Sequence, residues 1–370
     1  MTDMDETTDL PQADPPSLRR RILGVVVTVV VVVAVFAGVI PQFADYGAVG
    51  DTIRGLGWAK LGLLLVLGLW FLAAYWFVLI SVIPTLRLRE AAVNHLSGTA
   101  VTNSVPTGGA LAVGLNYAMY LSWGFTPSAV TLGLITAGIF DNLVKWGLPA
   151  VALSLVAIGA GSAGVAWLVP LVGIGLIGTA ITLFGMVLRS DRLASAVGRW
   201  ASRAATRVRG WAGRPSVDLT ERVLELRHSM VTLLRKRWKR LTLATLANHL
   251  AMFLVLYGSI RFVGVSAETV GLLPILAAFS VARLLSAVPV TPGGIGVADA
   301  GYVALLALSA PDGARPALVA AVLLFRALTF FPPIPLGLGT WLFWRSNRSW
   351  RRDWRSERRG RWVSEGSQPT

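Results

Sequence analysis

The chain has 370 residues, of which 54% are hydrophobic and only 14% are charged, and its mean hydropathy is +0.64. A soluble protein could not bury that much apolar surface, so the composition indicates an integral membrane protein. The chain has no cysteine and only three histidines, far apart in sequence, so we expect no metal and no cofactor. The net charge of +15 is concentrated in segments that flank apolar runs, as in cytoplasmic loops, so we expect no nucleic acid as a partner.

The N-terminal part of the chain begins with a polar tail and then turns apolar. Residues 1–18 are polar and acidic, and we predict that they are disordered. The run Ile22–Ile40 follows three arginines and is too long for the ~7–15-residue apolar core of a signal peptide, so we interpret it as a retained span. Further apolar segments, each with at least the ~20 residues that a bilayer requires, are Leu61–Ile83, Ser128–Ala160, Val165–Leu188, Leu241–Phe262 and Pro316–Trp344.

Two strongly basic segments interrupt and end the apolar part of the chain. Residues 189–240 hold 14 Lys or Arg against 4 Asp or Glu, and residues 345–370 hold 8 against 3. Apolar residues recur in the first segment at steps of three and four, which predicts two amphipathic helices. Helices that lie on the membrane surface and a charged helical linker both fit this pattern. The first basic segment divides the membrane part into a first half, 19–188, and a second half, 241–344.

The positive-inside rule then indicates which segments cross the membrane. It places both basic segments and both termini in the cytoplasm only if the regions near 91–123 and 269–310 each begin and end on one face. The middle of each region breaks a helix: Asn103–Tyr117 reads NSVPTGGALAVGLNY, and Pro289–Tyr302 reads PVTPGGIGVADAGY. We therefore predict an all-α polytopic protein of about six full transmembrane helices plus two re-entrant broken hairpins.

The two broken regions also align with each other. At an offset of 185 residues, the matched positions are Gly108-Gly109 with Gly293-Gly294, Tyr117 with Tyr302, and Phe140-Asp141 with Phe325-Arg326. Paired broken helices in inverted repeats, with the substrate near the midplane of the bilayer, are typical of secondary transporters. The sequence therefore predicts an inverted repeat with a binding site between the hairpins.

The stretch ARLLSAVPVTPGGIGVADAG, followed by LLFRALTFFPPIPLGLG, resembles the transmembrane region of lysylphosphatidylglycerol synthases, which is the flippase region of the multiple peptide resistance factor family. The resemblance covers most of residues 20–345. The chain departs from the family at Asp299, where glutamate is usual. It also has no room for the soluble aminoacyl-transferring domain, since its longest loop has ~50 residues and a domain needs ~100 or more. The resemblance thus implies lipid translocation and not lipid aminoacylation.

Charged side chains inside apolar spans cost ~2.5–3.5 kcal/mol each, so we take them as candidate substrate-binding residues. Arg283 and Arg326 suit a lipid phosphate, because the guanidinium fork matches its oxygens. Asp299 and Asp141 could balance these arginines, accept an amine head group or take up a proton. Internal pairing is the alternative for all of them. Asp299 then neutralises one of the arginines, and Asp141 neutralises Lys145 four residues later.

The broken-helix ends supply a second set of candidates, because their backbone N–H groups are free and lie at the positive end of a helix dipole. These residues are Gly108, Gly109, Pro292, Gly293 and Gly294. Glycines that only allow helices to approach closely are the alternative.

We predict that the protein flips an anionic or zwitterionic phospholipid, or a polyprenyl-phosphate-linked lipid, between the leaflets of a bacterial cytoplasmic membrane. No nucleotide-binding motif occurs, so we expect a transporter, not an enzyme, driven by a gradient or by consumption of the lipid. Its expected partners are anionic membrane lipids and a separate lipid synthase or glycosyltransferase. A membrane-embedded lipid-modifying enzyme and a non-catalytic membrane scaffold are the alternatives.

Overall fold

The computed structural model describes residues 54–104, 108–159, 168–210, 218–286 and 296–347, with Gly47, Gly50, Asp51 and Trp350 as isolated positions. Several predicted features lie outside the described residues: the tail 1–18, the span Ile22–Ile40, the hairpin residues Pro292, Gly293 and Gly294, and nearly all of the tail 345–370. The helices, in chain order, are α1 (Trp58–Val82), α2 (Leu88–Ser104), α3 (Gly108–Ser122), α4 (Pro127–Gly159), α5 (Leu168–Arg189), α6 (Asp191–Gly210), α7 (Thr220–Phe262), α8 (Leu272–Leu285), α9 (Val297–Ala307), α10 (Arg315–Thr329) and α11 (Pro333–Ser346).

Within the described ranges, five helical stretches are long and apolar enough to cross a membrane. They are α1, α4, α5, α7 and the consecutive pair α10 and α11. Each coincides with a predicted span, so the all-α polytopic fold class is confirmed. The spans could be found from the sequence because a helix in lipid satisfies its own backbone hydrogen bonds and presents apolar side chains on every lipid-facing side.

Helix α7 runs without a break from the basic segment into the membrane part. The change of composition at residue 240 is therefore not a helix end: the second predicted amphipathic helix and the span Leu241–Phe262 form one helix of 43 residues. Lys, Arg and Leu are all good helix formers, and no proline or glycine occurs between Thr220 and Tyr257. Helix α6 packs against the first part of α7, where the Ser202 hydroxyl accepts a hydrogen bond of 2.8 Å from the Leu219 amide.

The predicted span Pro316–Trp344 consists of two helices instead of one. Helix α10 ends and α11 begins around Pro332 and Pro333, which have no N–H with which to continue a helix. The Phe330 carbonyl at the break accepts a hydrogen bond of 3.0 Å from Nδ2 of Asn103 on α2. A side chain from another helix thus satisfies a polar group that the break exposes, as the membrane requires.

Two pairs of short helices occupy the regions predicted to form hairpins. Helix α2 packs against α3, and α8 packs against α9. With 17, 15, 14 and 11 residues, each helix is shorter than the ~20 residues of a full crossing. Helix α2 also contacts α11, and α8 contacts α4, so one helix of each short pair packs on a helix of the other half. Entry of the two pairs from opposite faces stays a prediction.

The buried core consists of two main clusters. One joins α7, α8, α9 and α10 and contains Phe279, Tyr302 and Phe325 in a row, with ring-centroid distances of 6.5 and 5.3 Å. The other joins α1, α2, α3, α4 and α7. This packing sets the relative positions of the helices that carry the charged residues.

Candidate functional site

A cavity of about 430 Å³ lies among α1, α2, α3, α4, α7, α8, α9 and α10. Four of the charged residues predicted for the site line it: Asp141 and Lys145 from α4, Arg283 from α8 and Arg326 from α10. The polar residues of the remaining walls are Tyr75, Asn94, His95, Thr99, Thr102, Asn116, Asn248, Ser286 and Tyr302. Residues from both halves of the sequence thus form one polar space inside an apolar protein. Because polar groups in membrane helices are costly, this space is the candidate site.

Asp141 lies near the middle of α4 and contacts two basic side chains. Its Oδ2 is 2.5 Å from Nζ of Lys145, one turn further along the same helix, and its Oδ1 is 3.2 Å from Nε2 of His249 on α7. The internal pairing of Asp141 with Lys145, one of the two predicted alternatives, is therefore present. Their side chains are 20% and 16% exposed, so both reach the cavity surface.

Asp299 is almost fully buried in the first turn of α9, behind Arg326. Its Oδ1 forms an ion pair with Nε of Arg326, and its Oδ2 accepts a hydrogen bond of 2.9 Å from the Gly296 N–H. Gly296 has a φ of 85°, a left-handed conformation that costs residues with a Cβ. Asp299 thus caps α9 and neutralises Arg326, in agreement with the pairing alternative. Direct contact of Asp299 with a substrate stays a prediction.

Arg283 lies in the last turn of α8 and lines the cavity. Among the described residues, its guanidinium forms no hydrogen bond or ion pair, and its buried Nε has no acceptor. Its charge nevertheless acts on Asp141, Lys145, His249 and Tyr302, which places it amid the charged residues of the cavity. A cation in this position is available to bind an anion.

The neutral polar wall of the site was not predicted from the sequence. In the described part of the chain, the buried atoms without a hydrogen-bond partner include His95 Nδ1, Asn116 Oδ1, Asn248 Oδ1 and the Tyr302 hydroxyl. Buried polar groups are usually paired, so four such atoms around one cavity indicate a polar ligand. The available signal was single polar residues inside apolar runs, as in LATLANHLAMFLV, which contains Asn248 and His249.

The predicted backbone donors of the first hairpin do not line the cavity. Gly108 is buried where α3 meets α2, and a Cβ there would lie 2.3 Å from the Val101 carbonyl oxygen. Gly109 is exposed and faces open space. These positions favour the alternative that the glycine pair allows close helix packing. The binding role of Pro292, Gly293 and Gly294, which lie outside the described residues, stays a prediction.

The family model of the lysylphosphatidylglycerol synthase transmembrane region matches residues 21–337. The chain belongs to this family. The match extends from before α1 into α11 and includes every charged residue of the cavity. A comparison with curated proteins found no match. Membership of the family, together with the five membrane-crossing stretches, makes this a multi-pass membrane protein with a lipid-related function.

In this member of the lysylphosphatidylglycerol synthase transmembrane-region family, the cavity has an excess of positive charge. Three cations, Lys145, Arg283 and Arg326, stand against two carboxylates, Asp141 and Asp299. Each carboxylate already contacts its own basic partner, which leaves Arg283 as the unbalanced cation among the described cavity residues. The site therefore suits an anion, and a guanidinium is the group best shaped to bind phosphate or carboxylate oxygens.

Proposed function

We propose that the protein moves lipids with an anionic head group between the two leaflets of the membrane. The observation that carries this proposal is the guanidinium of Arg283, which faces a cavity inside a membrane protein and has no partner among the described residues. A half-buried cation with no carboxylate in contact is unfavourable, because removal of an ion from water costs free energy. A lipid phosphate would supply the missing negative charge.

The walls of the cavity support transport of a head group. The barrier to lipid exchange is the loss of hydration when a polar head group enters hydrocarbon. Unpartnered polar atoms from Asn116, Asn248 and Tyr302 offer hydrogen bonds that would replace part of that hydration. The acyl chains would remain in the bilayer while the head group passes through the cavity.

The two carboxylates favour an anionic over a cationic head group. Asp141 contacts Lys145 and His249, and Asp299 contacts Arg326 and the Gly296 amide. A lipid amine would have to displace one of these partners, whereas a phosphate meets Arg283 without displacing any described group. We therefore propose an anionic phospholipid or a polyprenyl phosphate as the substrate.

Reconstitution into vesicles tests this function. Fluorescent phosphatidylglycerol and fluorescent phosphatidylcholine, which differ in net charge, are placed in separate vesicle preparations, and leaflet exchange is followed by quenching from outside. We expect the protein to accelerate exchange of phosphatidylglycerol more than that of phosphatidylcholine. Acceleration of neither lipid, nor of a labelled polyprenyl phosphate, would contradict the proposal.

Mass spectrometry of the same vesicles separates transport from enzymatic modification. The proposal predicts that each labelled lipid keeps its mass after exchange. A changed mass would favour a membrane-embedded lipid-modifying enzyme, and unchanged lipid distribution with binding of another protein to the basic helix α6 would favour a scaffold. If the protein transports the lipid unchanged, a separate lipid synthase or glycosyltransferase would make or consume it.

A further inference from the structure

His249 combines deep burial with an acidic neighbour, Asp141, that lines the cavity. Its side chain is 2% exposed, and its Nε2 lies 3.2 Å from Oδ1 of Asp141. A neutral imidazole carries its proton on one ring nitrogen and can bind a second proton on the other. Both ring nitrogens are buried, and neither has a hydrogen-bond partner among the described residues. The imidazole is thus held next to a negative charge and keeps a nitrogen that can take up a proton.

Charged and titratable side chains from several helices face this imidazole. Asp141 and Lys145 come from α4, and Arg283 comes from α8. Tyr75 of α1 lines the same cavity and lies within electrostatic range of Asp141. With a neutral His249, this group has two cations and one carboxylate, which gives it one excess positive charge.

The other helices that pack on α7 add no net charge near His249. Helix α10 contributes Arg326 to the cavity, and Asp299 of α9 neutralises it. Helix α5 has Arg189 at its C-terminal end as its one ionisable side chain, and α6 packs on the part of α7 that follows Leu219. The charge balance around His249 therefore depends on Asp141, Lys145, Arg283 and whatever anion enters the cavity.

An anion and a proton favour each other's binding in such a site. A proton on His249 would raise the excess positive charge of the group, which opposes protonation while the cavity holds no anion. An anionic head group beside Arg283 supplies a negative charge and removes that opposition. By linkage, the factor by which the bound anion favours protonation of the imidazole equals the factor by which the protonated imidazole strengthens binding of the anion. Histidine is the residue whose ordinary pKa allows this change near neutral pH.

We infer that His249 carries a proton that enters and leaves the site together with the anionic head group. The inference rests on the proposed function and adds that the proton is the ion that drives transport. One proton, taken from water on the side where the lipid enters, binds the imidazole and makes it an imidazolium. Asp141, whose carboxylate lines the cavity and lies 3.2 Å from Nε2, is the group through which the proton would pass between that water and the ring. The proton is released on the other side when the head group leaves.

This coupling makes the transfer electroneutral for a lipid with one negative charge. A phosphodiester anion and a proton cross together, so no net charge moves and the membrane potential neither drives nor opposes the step. A pH difference drives it instead. At equilibrium the lipid is enriched in the alkaline-side leaflet, by up to about tenfold for each pH unit when one proton accompanies one lipid.

Proteoliposomes with fluorescent phosphatidylglycerol test the inference. A difference of one pH unit is imposed while valinomycin and potassium hold the membrane potential at zero, and vesicles without protein correct for spontaneous movement of the lipid. We expect wild-type protein to enrich the lipid on the alkaline side by up to about tenfold. We expect no enrichment from a membrane potential alone. Internal pyranine reports whether protons move with the lipid.

Two histidine variants on the same helix form the matched comparison. His249→Gln is expected to abolish the enrichment, so that the lipid stays evenly distributed under the pH difference. His228→Gln is expected to behave as wild type, because His228 is 66% exposed, outside the cavity, and 3.9 Å from a different acid, Asp191. Enrichment that persists in His249→Gln would overturn the inference.

Wild-type protein alone separates this inference from the proposed function. Fast exchange of phosphatidylglycerol that does not depend on the pH difference would contradict proton coupling but not lipid translocation. Enrichment driven by the membrane potential would also overturn it, because it would show that charge moves with the lipid. Absence of protein-dependent exchange under every condition would overturn both.

Discussion

Asp299 of α9 forms an ion pair with Arg326 of α10, and the pair is buried at the wall of the cavity. The same carboxylate caps its own helix through the Gly296 amide. One side chain therefore fixes the start of a short helix and balances a charge on its neighbour. The capping role and the charge-balancing role of Asp299 predict different results for single and double substitutions.

We expect Asp299→Asn to destabilise the protein by about 3–5 kcal/mol, because it leaves the Arg326 charge buried without its carboxylate. The double variant Asp299→Asn/Arg326→Gln should lose less stability than the sum of the losses in the two single variants, since it leaves neither charge without its partner. Thermal unfolding in detergent measures each variant. As a control, Asp312→Asn removes an exposed ion pair with Arg315 and should cost less than about 1 kcal/mol. Strictly additive losses would show that Asp299 and Arg326 act independently.

The adjacent glycines at the start of α3 give a matched pair of substitutions. Gly108→Ala would bring a Cβ to 2.3 Å from the Val101 carbonyl oxygen, whereas Gly109→Ala meets nothing within 4 Å. Because such overpacking costs about 1–3 kcal/mol, we expect Gly108→Ala to lower the unfolding temperature clearly. Gly109→Ala should leave it close to that of the wild type. Equal effects of the two substitutions would contradict the close packing of α2 and α3.

The absence of cysteine from the chain makes its membrane topology directly measurable. Single cysteines introduced at Arg203 in α6 and at Leu308 after α9 occupy exposed positions. With a membrane-impermeant thiol reagent added to intact cells, we expect Leu308→Cys to react. Arg203→Cys should react only after the membrane is permeabilised, because basic segments remain in the cytoplasm. Labelling of Arg203→Cys in intact cells would refute the predicted re-entrant hairpins.

The spans could be predicted from the sequence because hydropathy is a local property. The predicted limits of Leu61–Ile83 and Val165–Leu188 lie within three residues of the ends of α1 and α5. Helix α7 shows where this local signal fails, since its composition changes at residue 240 while its backbone continues. A charged surface helix and an apolar span have the same backbone, so composition alone does not mark the end of either.

The candidate site could be predicted only in part, because its contacts join distant segments. The pairing of Asp141 with Lys145 follows from helical spacing on one helix, and it is present. The choice of Arg326 over Arg283 as the partner of Asp299 depends on how α8, α9 and α10 pack, which spacing does not determine. The contact of His249 with Asp141 joins α7 to α4, and no local pattern links the two positions. The inverted repeat stays a prediction.

The predicted alignment of the two halves is compatible with the order of the helices. At the offset of 185 residues that aligns the glycine pairs, α2 falls mostly on α8, α3 on the region of α9, and α4 on the stretch of α10 and α11. Asp141 and Arg326 then occupy equivalent positions and line the same cavity. The orientation of the halves relative to the membrane is decided by the thiol labelling described above.

The rate of phosphatidylglycerol exchange in vesicles with Arg283→Gln tests the central claim most directly. Loss of a charge-assisted hydrogen bond worth about 1.5–3 kcal/mol should slow exchange roughly 10- to 100-fold. Arg203→Gln, the same change on the exposed face of α6, should exchange the lipid at the wild-type rate. We expect Arg283→Lys to retain part of the activity, since it keeps the charge but not the fork. A folded Arg283→Gln protein that exchanges phosphatidylglycerol as fast as the wild type would contradict the account.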